Sequence, residues 1–313
     1  GRMPSNQDSA RRDAWSAYWA GGGLHSCVGS LDDDYSGAIG DFWRSVFAEL
    51  PPGPLQALDL ATGNGAIPRL LARQRADAAI DAVDLASLAP AWHDPARQPG
   101  IRFHSGVAME ALPFDDASFD LLTSQYGFEY ARRGEALAEA LRVLRPGGRM
   151  ALVMHHADSV LARVAAAESA NGAVLTAPGG LIEAADAVLP WLALARRGGD
   201  PGREPAALAA REAYNGAAVA LDRAIAGAAV PDLLLEARGW LQRLLAGVGP
   251  DPAPAREALA RYREALAGGA LRSAELVENA LDEAAAEALV AAIRRARPGD
   301  RVECRPLSQA EGL

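Results

Sequence analysis

The chain has 313 residues, half of them hydrophobic, enough to bury one large core or two smaller ones. Its net charge of −9 disfavours a nucleic-acid partner, because phosphate binding needs a basic face, and points to a small molecule instead. All 31 basic residues are arginine, which excludes lysine Schiff-base and lysine general-base chemistry, and the two cysteines, Cys27 and Cys304, lack zinc-site spacing.

Residues 1–48 read as a polar tail and an aromatic helical lid. Trp15, Tyr18 and Trp19 share one face at helical spacing, Gly21-Gly22-Gly23 and Ser30 to Tyr35 read as loop, and Asp41-Phe42-Trp43 opens a second helix that ends before Pro51-Pro52. Trp43 and Phe47 are expected to pack on a sheet. His25-Ser26-Cys27 reads as a lid contact, since adjacent loop residues seldom make a nucleophile and its base.

Residues 49–157 alternate between strand and helix. Strands are expected near 55–60, 79–84, 101–104, 119–124 and 148–155, and helices near 66–75 and 134–145, with Arg145-Pro146-Gly147-Gly148 as a helix stop before the fifth strand. That alternation predicts an α/β fold with a doubly wound, mostly parallel sheet whose ligand lies at the carboxyl ends of the strands. The first strand ends in Asp59-Leu60-Ala61-Thr62-Gly63-Asn64-Gly65, where small residues let the backbone turn sharply beside a ligand. Pro68 follows in place of the third glycine of a dinucleotide fingerprint, and Asp59 would repel a pyrophosphate, so a cationic partner fits better. The second strand ends at Asp84, 19 residues after Gly65, where a carboxylate can accept two ribose hydroxyls.

With Leu112-Pro113-Phe114-Asp115-Asp116-Ala117-Ser118-Phe119-Asp120 and the run Arg142 to Arg149, these motifs make the chain resemble class I S-adenosylmethionine-dependent methyltransferases over roughly residues 40–157. Within that family it looks most like the branch that includes the quinone C-methyltransferases. The resemblance implies a Rossmann-like methyltransferase fold and S-adenosylmethionine as cofactor. It implies that Asp59 holds the methionine ammonium, that Ala61, Thr62, Gly63, Asn64 and Gly65 form the floor, and that Asp84 and Leu85 hold the ribose. Ala108, Met109 and Glu110 are expected beside the adenine, because Val107 stands where many members carry an aspartate. Ser124 and Gln125 complete the expected cofactor set. Ala61 departs from the family's first glycine by one methyl.

After His156 the texture changes to alanine, leucine, glutamate and arginine. Residues 158–281 read as a helical insert with Gly/Pro breaks at 178–180, 198–205, 229–231, 247–254 and 268–269, serving as a substrate cap, a homodimer interface, or both. Residues 282–313 read as the last helix, Asp282 to Arg297, and a closing strand, Arg301 to Leu307; Arg294, Arg295 and Arg297 are expected to complement the helix dipole.

Methyl transfer is an in-line displacement, so the chain has to align a nucleophile and take its proton where there is one. Tyr126 and Glu129, leaving strand four, and His155 and His156, leaving strand five, are the catalytic candidates. The two histidines cannot both face the cleft, because successive strand side chains alternate. The acceptor is expected to be a small, apolar or aromatic molecule methylated on oxygen or carbon, with neither nucleic acid nor membrane as partner. The absence of a long apolar span and of cysteine pairing suggests a cytoplasmic enzyme. The alternative is a cofactor-binding, non-catalytic partner or regulatory subunit of a methyltransferase complex.

Overall fold

The computed structural model describes residues 11–13, 15–16 and 37–308. The expectations for Tyr18, Trp19, the triple glycine, His25-Ser26-Cys27, Tyr35 and the last five residues therefore lie outside the described residues. The chain divides into two units, one formed by residues up to Ala162 and from Glu278 onward, the other by Arg163–Val277.

In the first unit helix α1 (Gly37–Ala48) leads into β1 (Gln56–Leu60), α2 (Ala66–Gln74), β2 (Ala79–Asp84), β3 (Ile101–Ser105), β4 (Phe119–Gln125), α3 (Arg133–Val143) and β5 (Leu144–Val153). The five strands form one parallel sheet in the order β3-β2-β1-β4-β5. The strand order reverses between β1 and β4, the place where open α/β sheets leave a crevice for a ligand.

The inner strands β1, β2 and β4 are buried along most of their length because helices cover both faces of the sheet, whereas the edge strand β3 buries only Ile101. Ala57, Leu121 and Ala151 pack with Trp43, Phe47, Ile67, Leu70 and Leu71 of α1 and α2. Leu58, Leu60 and Leu122 pack on the other face with Ala136, Leu137 and Ala140 of α3, and with Leu289 of the final helix.

Four expectations are corrected. The fifth strand begins at Leu144, not after the glycines. Leu144 pairs with Phe119 and Arg149 with Leu121, so Arg145-Pro146-Gly147-Gly148 bulges out opposite Asp120, with Gly147 at φ 77° supplying the left-handed turn. The closing strand Arg301 to Leu307 does not form. Arg301, Glu303, Cys304 and Arg305 are exposed and Pro306 lacks a ladder donor, so the segment offers little to a sheet edge, although Leu307 packs on the α1 and α2 side of the core. Arg297 hydrogen-bonds the Leu141 and Leu144 carbonyls at the end of α3, not the end of its own helix. The last of the four lies in the second unit.

That unit is helical: most of α4 (Val160–Thr176), α5 (Leu181–Arg196), α6 (Pro205–Gly227), α7 (Asp232–Ala246) and nearly all of α8 (Ala253–Asn279). It has its own core of Leu175, Ile182, Leu189, Leu221, Leu234, Leu241, Leu259 and Leu266. Contrary to the expected break, α8 runs through Gly268 and Gly269; two glycines cost roughly 2 kcal/mol of propensity, which the packing of Leu259 and Leu266 on either turn outweighs. The stretch Val160–Arg196 is also more apolar than expected, with an 18-residue window of mean hydropathy 1.3. Gly179 and Gly180 divide it into helices of 17 and 16 residues, each short of the roughly 20 that span a bilayer. After Asn279 the chain returns to the sheet unit, where α9 (Glu283–Ala296) starts with the Asp282 carboxylate accepting the Ala285 amide at 2.8 Å.

Candidate active site

The turn after β1 is built on positive backbone angles: Ala61 at φ 51°, Gly63 at 57° and Gly65 at 79°. Gly65 has a steric reason as well, since a Cβ there would lie 2.7 Å from Phe103 and 2.8 Å from Trp92. Trp92, not anticipated from the sequence, closes the turn from outside by donating its indole N–H to the Asn64 carbonyl at 2.6 Å. An isolated tryptophan in a coil segment carries no motif and so leaves no signal of this role in the sequence.

Asp84 holds the turn from inside. One carboxylate oxygen accepts the Gly63 amide at 2.8 Å and the other accepts Ala86 at 2.9 Å. Each keeps a second lone pair that could take a ribose hydroxyl. Burial pushes its pKa up, with the backbone hydrogen bonds from Ala86 and Gly63 pulling the other way. Leu85 follows half-buried, and the Val107 amide donates to the Asp84 carbonyl, which fixes the Ala108-Met109-Glu110 turn beside β2. Met109 packs into the core and Glu110 accepts the Arg132 amide at 2.8 Å.

Asp59 sits at 2% exposure, its carboxylate accepting the Thr123 hydroxyl at 2.7 Å. Burial raises its pKa from the usual carboxylate range to about 7. The neighbouring Thr62 hydroxyl is buried against the same carboxyl, and with Thr123 it pulls that pKa back down. A buried acid flanked by two hydroxyls at an open glycine turn fits a ligand that brings positive charge, as the ammonium of S-adenosylmethionine would.

The β4 exit gives the other wall. Ser124 is fully buried with its hydroxyl on the Leu60 carbonyl, which fastens β4 to β1. Gln125 is aimed by Trp43, whose indole N–H donates to the Gln125 side-chain oxygen at 2.6 Å. Tyr126 adopts φ 54°, a left-handed conformation that a bulky residue rarely takes, and its ring stacks on His155 at 4.0 Å and 12°. Tyr130 meets the same imidazole edge-on at 6.3 Å. Glu129 is wholly buried: one oxygen accepts the His155 backbone amide at 2.7 Å, and the other has no partner. The His155 Nδ1 is likewise buried and unpartnered, 3.9 Å from that carboxyl. Desolvation drives the two groups in opposite directions, Glu129 up to about 8 and His155 down to about 4, so both are neutral at pH 7.

Tyr126, Glu129 and His155 are thus gathered in one cluster. His156 is not among them. It is exposed, forms a β-bridge with Leu281, and accepts the Asp158 amide on its Nδ1. Among the described residues no group of three or more His, Cys, Asp or Glu could hold a metal. At the N-terminus Arg11 donates to the Tyr130 carbonyl and lies 5.8 Å over its ring, Trp15 meets that ring edge-on, and the Ser16 hydroxyl accepts the Ser87 amide. Arg11 and Trp15 therefore touch the loop after β4, and Ser16 the loop after β2.

A sheet reversed between β1 and β4, an acidic glycine turn and a carboxylate ending β2 agree with the resemblance to class I S-adenosylmethionine-dependent methyltransferases. Residues 58–152 match the family described as "Methyltransferase domain". The chain is 38% identical over 120 residues to the demethylmenaquinone methyltransferase of Deinococcus radiodurans, covering 36% of this chain and 48% of that protein. It is 36% identical to the malonyl-[acyl-carrier protein] O-methyltransferase of Methylococcus capsulatus, covering 36% of this chain and 42% of that protein. It is also similar to the crystal structure of the YcgJ protein from Bacillus subtilis, 26% identical with TM-score 0.35, covering 43% of this chain and 58% of that chain. The chain spans about half the length of the curated relatives it matches.

Proposed function

We propose that this protein transfers the methyl group of S-adenosylmethionine to an oxygen or carbon of a small apolar or aromatic acceptor. The observation that carries the reading is the buried neutral pair of Glu129 and His155 under the Tyr126 ring, joined to the cofactor turn through β4. A partner that only bound cofactor would have no need of a buried imidazole nitrogen and a buried carboxyl oxygen that lack hydrogen-bond partners. The relatives named above are a demethylmenaquinone methyltransferase and a malonyl-[acyl-carrier protein] O-methyltransferase, which supports an acceptor methylated on carbon or oxygen.

When bound, the cofactor supplies an electrophilic sulfonium methyl. Asp59 and Asp84 would hold it, with the Ala61 to Gly65 turn as floor. The rest belongs to the side chains after β4 and β5. Tyr126, Tyr130 and His155 make an aromatic wall for a flat acceptor, and burial excludes the water that would compete for hydrogen bonds. The neutral His155 imidazole takes the acceptor's proton as the new bond to methyl forms. Glu129 sets the height of His155 through the backbone amide and faces its ring as an uncharged acid.

The test is a methyl-release assay over quinols, phenols and carboxylic acids, followed by a pH profile on the substrate that turns over. With His155 as base and Glu129 required protonated, the rate is flat from about pH 5 to 7 and falls above 8. Glu129→Gln keeps the plateau and removes the fall, while His155→Phe loses about 10²–10⁴-fold. A rate that instead climbs through pH 8 and is lost in Glu129→Gln assigns the base to the Glu129 carboxylate. Cofactor binding without turnover on any acceptor refutes the enzymatic reading.

A further inference from the structure

The cofactor turn and the loop that carries Tyr126 and Glu129 meet where Ala61 faces Gly127. A Cβ placed at Gly127 would overlap the Cβ of Ala61, and would stand 3.3 Å from the Ser124 hydroxyl. The missing side chain at 127 is therefore the notch that receives the Ala61 methyl. The backbone adds a second, smaller reason for glycine, since its φ of −142° and ψ of −43° lie outside the main regions that residues with a side chain occupy. Its neighbours in the contact are constrained as well, Ala61 and Tyr126 both holding left-handed angles without being glycine. Ser124 lies beside the contact and bonds the Leu60 carbonyl at 2.9 Å, which ties the end of β1, one residue before Ala61, to β4 three residues before Gly127.

We propose that Gly127 is a positioning residue whose empty side-chain site locks the Ala61 methyl, so that the geometry of the cofactor turn and that of the Tyr126–Glu129 loop are set together. The inference rests on the methyltransferase reading of the site. The clearance that a glycine at 61 would provide within the turn comes instead from across the sheet. A shift of the turn when cofactor enters has to be shared by the loop, because two packed backbones with one methyl between them leave no slack. Gly127 touches neither reacting atoms nor acid–base groups; it acts through Ala61 on one side and Tyr126 on the other.

A double-mutant cycle tests this, with cofactor affinity by calorimetry and melting temperature measured on the whole protein. Gly127→Ala is expected to weaken cofactor binding about tenfold or more, and to lower Tm, because the new methyl has nowhere to go. Ala61→Gly alone is expected to weaken binding about two- to threefold through a looser turn. The double variant Ala61→Gly/Gly127→Ala moves the methyl to the other side of the contact and is expected to recover affinity to within about threefold of the parent, well beyond additivity. Three results overturn the proposal: Gly127→Ala binding cofactor as the parent does; a double variant no better than Gly127→Ala; or rescue of Tm without rescue of affinity, which makes the contact purely structural. If the parent itself binds no S-adenosylmethionine, the functional reading fails. The Tm cycle then still reports on the Ala61–Gly127 contact.

Discussion

Asp59 is the residue whose physics most directly links this site to a charged ligand. Burial raises its pKa to about 7, so in the folded protein at pH 6 the group is mostly protonated, whereas in the unfolded chain it is ionised. The sign follows: the fold holds a proton that the unfolded chain releases between about pH 4 and 7, so Asp59 weakens the ligand-free fold progressively as pH rises through that window. A cation bound against it reverses the preference. Binding of S-adenosylmethionine at pH 6 should therefore release about 0.5–1 proton, read as a dependence of calorimetric enthalpy on buffer ionisation heat, and the release should vanish above about pH 8. Asp84 is also raised by burial, so the assignment needs Asp59→Asn, which should abolish the release and weaken the cofactor more than adenosine. A binding enthalpy independent of buffer at pH 6 would show that no such ionisation is coupled to the ligand.

Among the elements, the turn after β1 depends on a residue far from it in sequence. Trp92 and Asp84 hold the same few peptides, one by an indole bond to Asn64 and the other by a carboxylate bond to Gly63. Trp92→Phe keeps the ring contact with Phe103 but removes the bond to Asn64, at about 0.5–1.5 kcal/mol, and should weaken cofactor binding several-fold without unfolding the sheet. Asp84→Asn retains one acceptor oxygen and should weaken binding less than Asp84→Ala, which loses the Gly63 and Ala86 bonds together with the ribose contact. Equal effects of Asn and Ala at 84 would count against that division of labour. The five strands, the turn and the candidate Glu129–His155 cluster were readable because each is written locally, as an apolar run, a small-residue cluster or a polar residue at a strand end. The parts that were not readable depend on long-range pairing. The segment from Leu112 to Asp120 and the run Arg142 to Arg149 carried the family resemblance, yet in the fold they bind each other: Arg142 donates to the Leu112 and Phe114 carbonyls and pairs with Asp116 and Glu139, and Arg145 pairs with Asp120. Their chemistry is that of a staple between β4 and α3. Trp43 on Gln125, Trp92 on Asn64 and the Ala61–Gly127 contact likewise join residues that no sequence period relates. The missing closing strand follows from the same limit, since β-branched and apolar content in Arg301 to Leu307 says nothing about a neighbour to pair with.

At the scale of the whole molecule, two units with separate cores predict separate unfolding. The sheet unit is packed on Trp43, Phe47, Leu58 and Leu122, and the helical unit on Leu189, Leu234, Leu241 and Leu259. Scanning calorimetry should resolve two transitions, not one two-state step. Cofactor at about 100 times its Kd should stabilise the sheet unit by about 2.7 kcal/mol and leave the other transition where it was, because the proposed cofactor residues all belong to the sheet unit. The acceptor should behave differently if the helical insert, residues 158–281, serves as the substrate cap that is one of the two roles expected of it from the sequence. Hydrogen exchange with cofactor product and acceptor together should then slow amides within α4 to α8 as well as in 124–130, beyond the slowing that cofactor alone produces. Protection by acceptor confined to 124–130 and the N-terminal residues would leave the helical unit without a part in recognition. A concentration-dependent upper transition with no acceptor response would assign it instead to self-association.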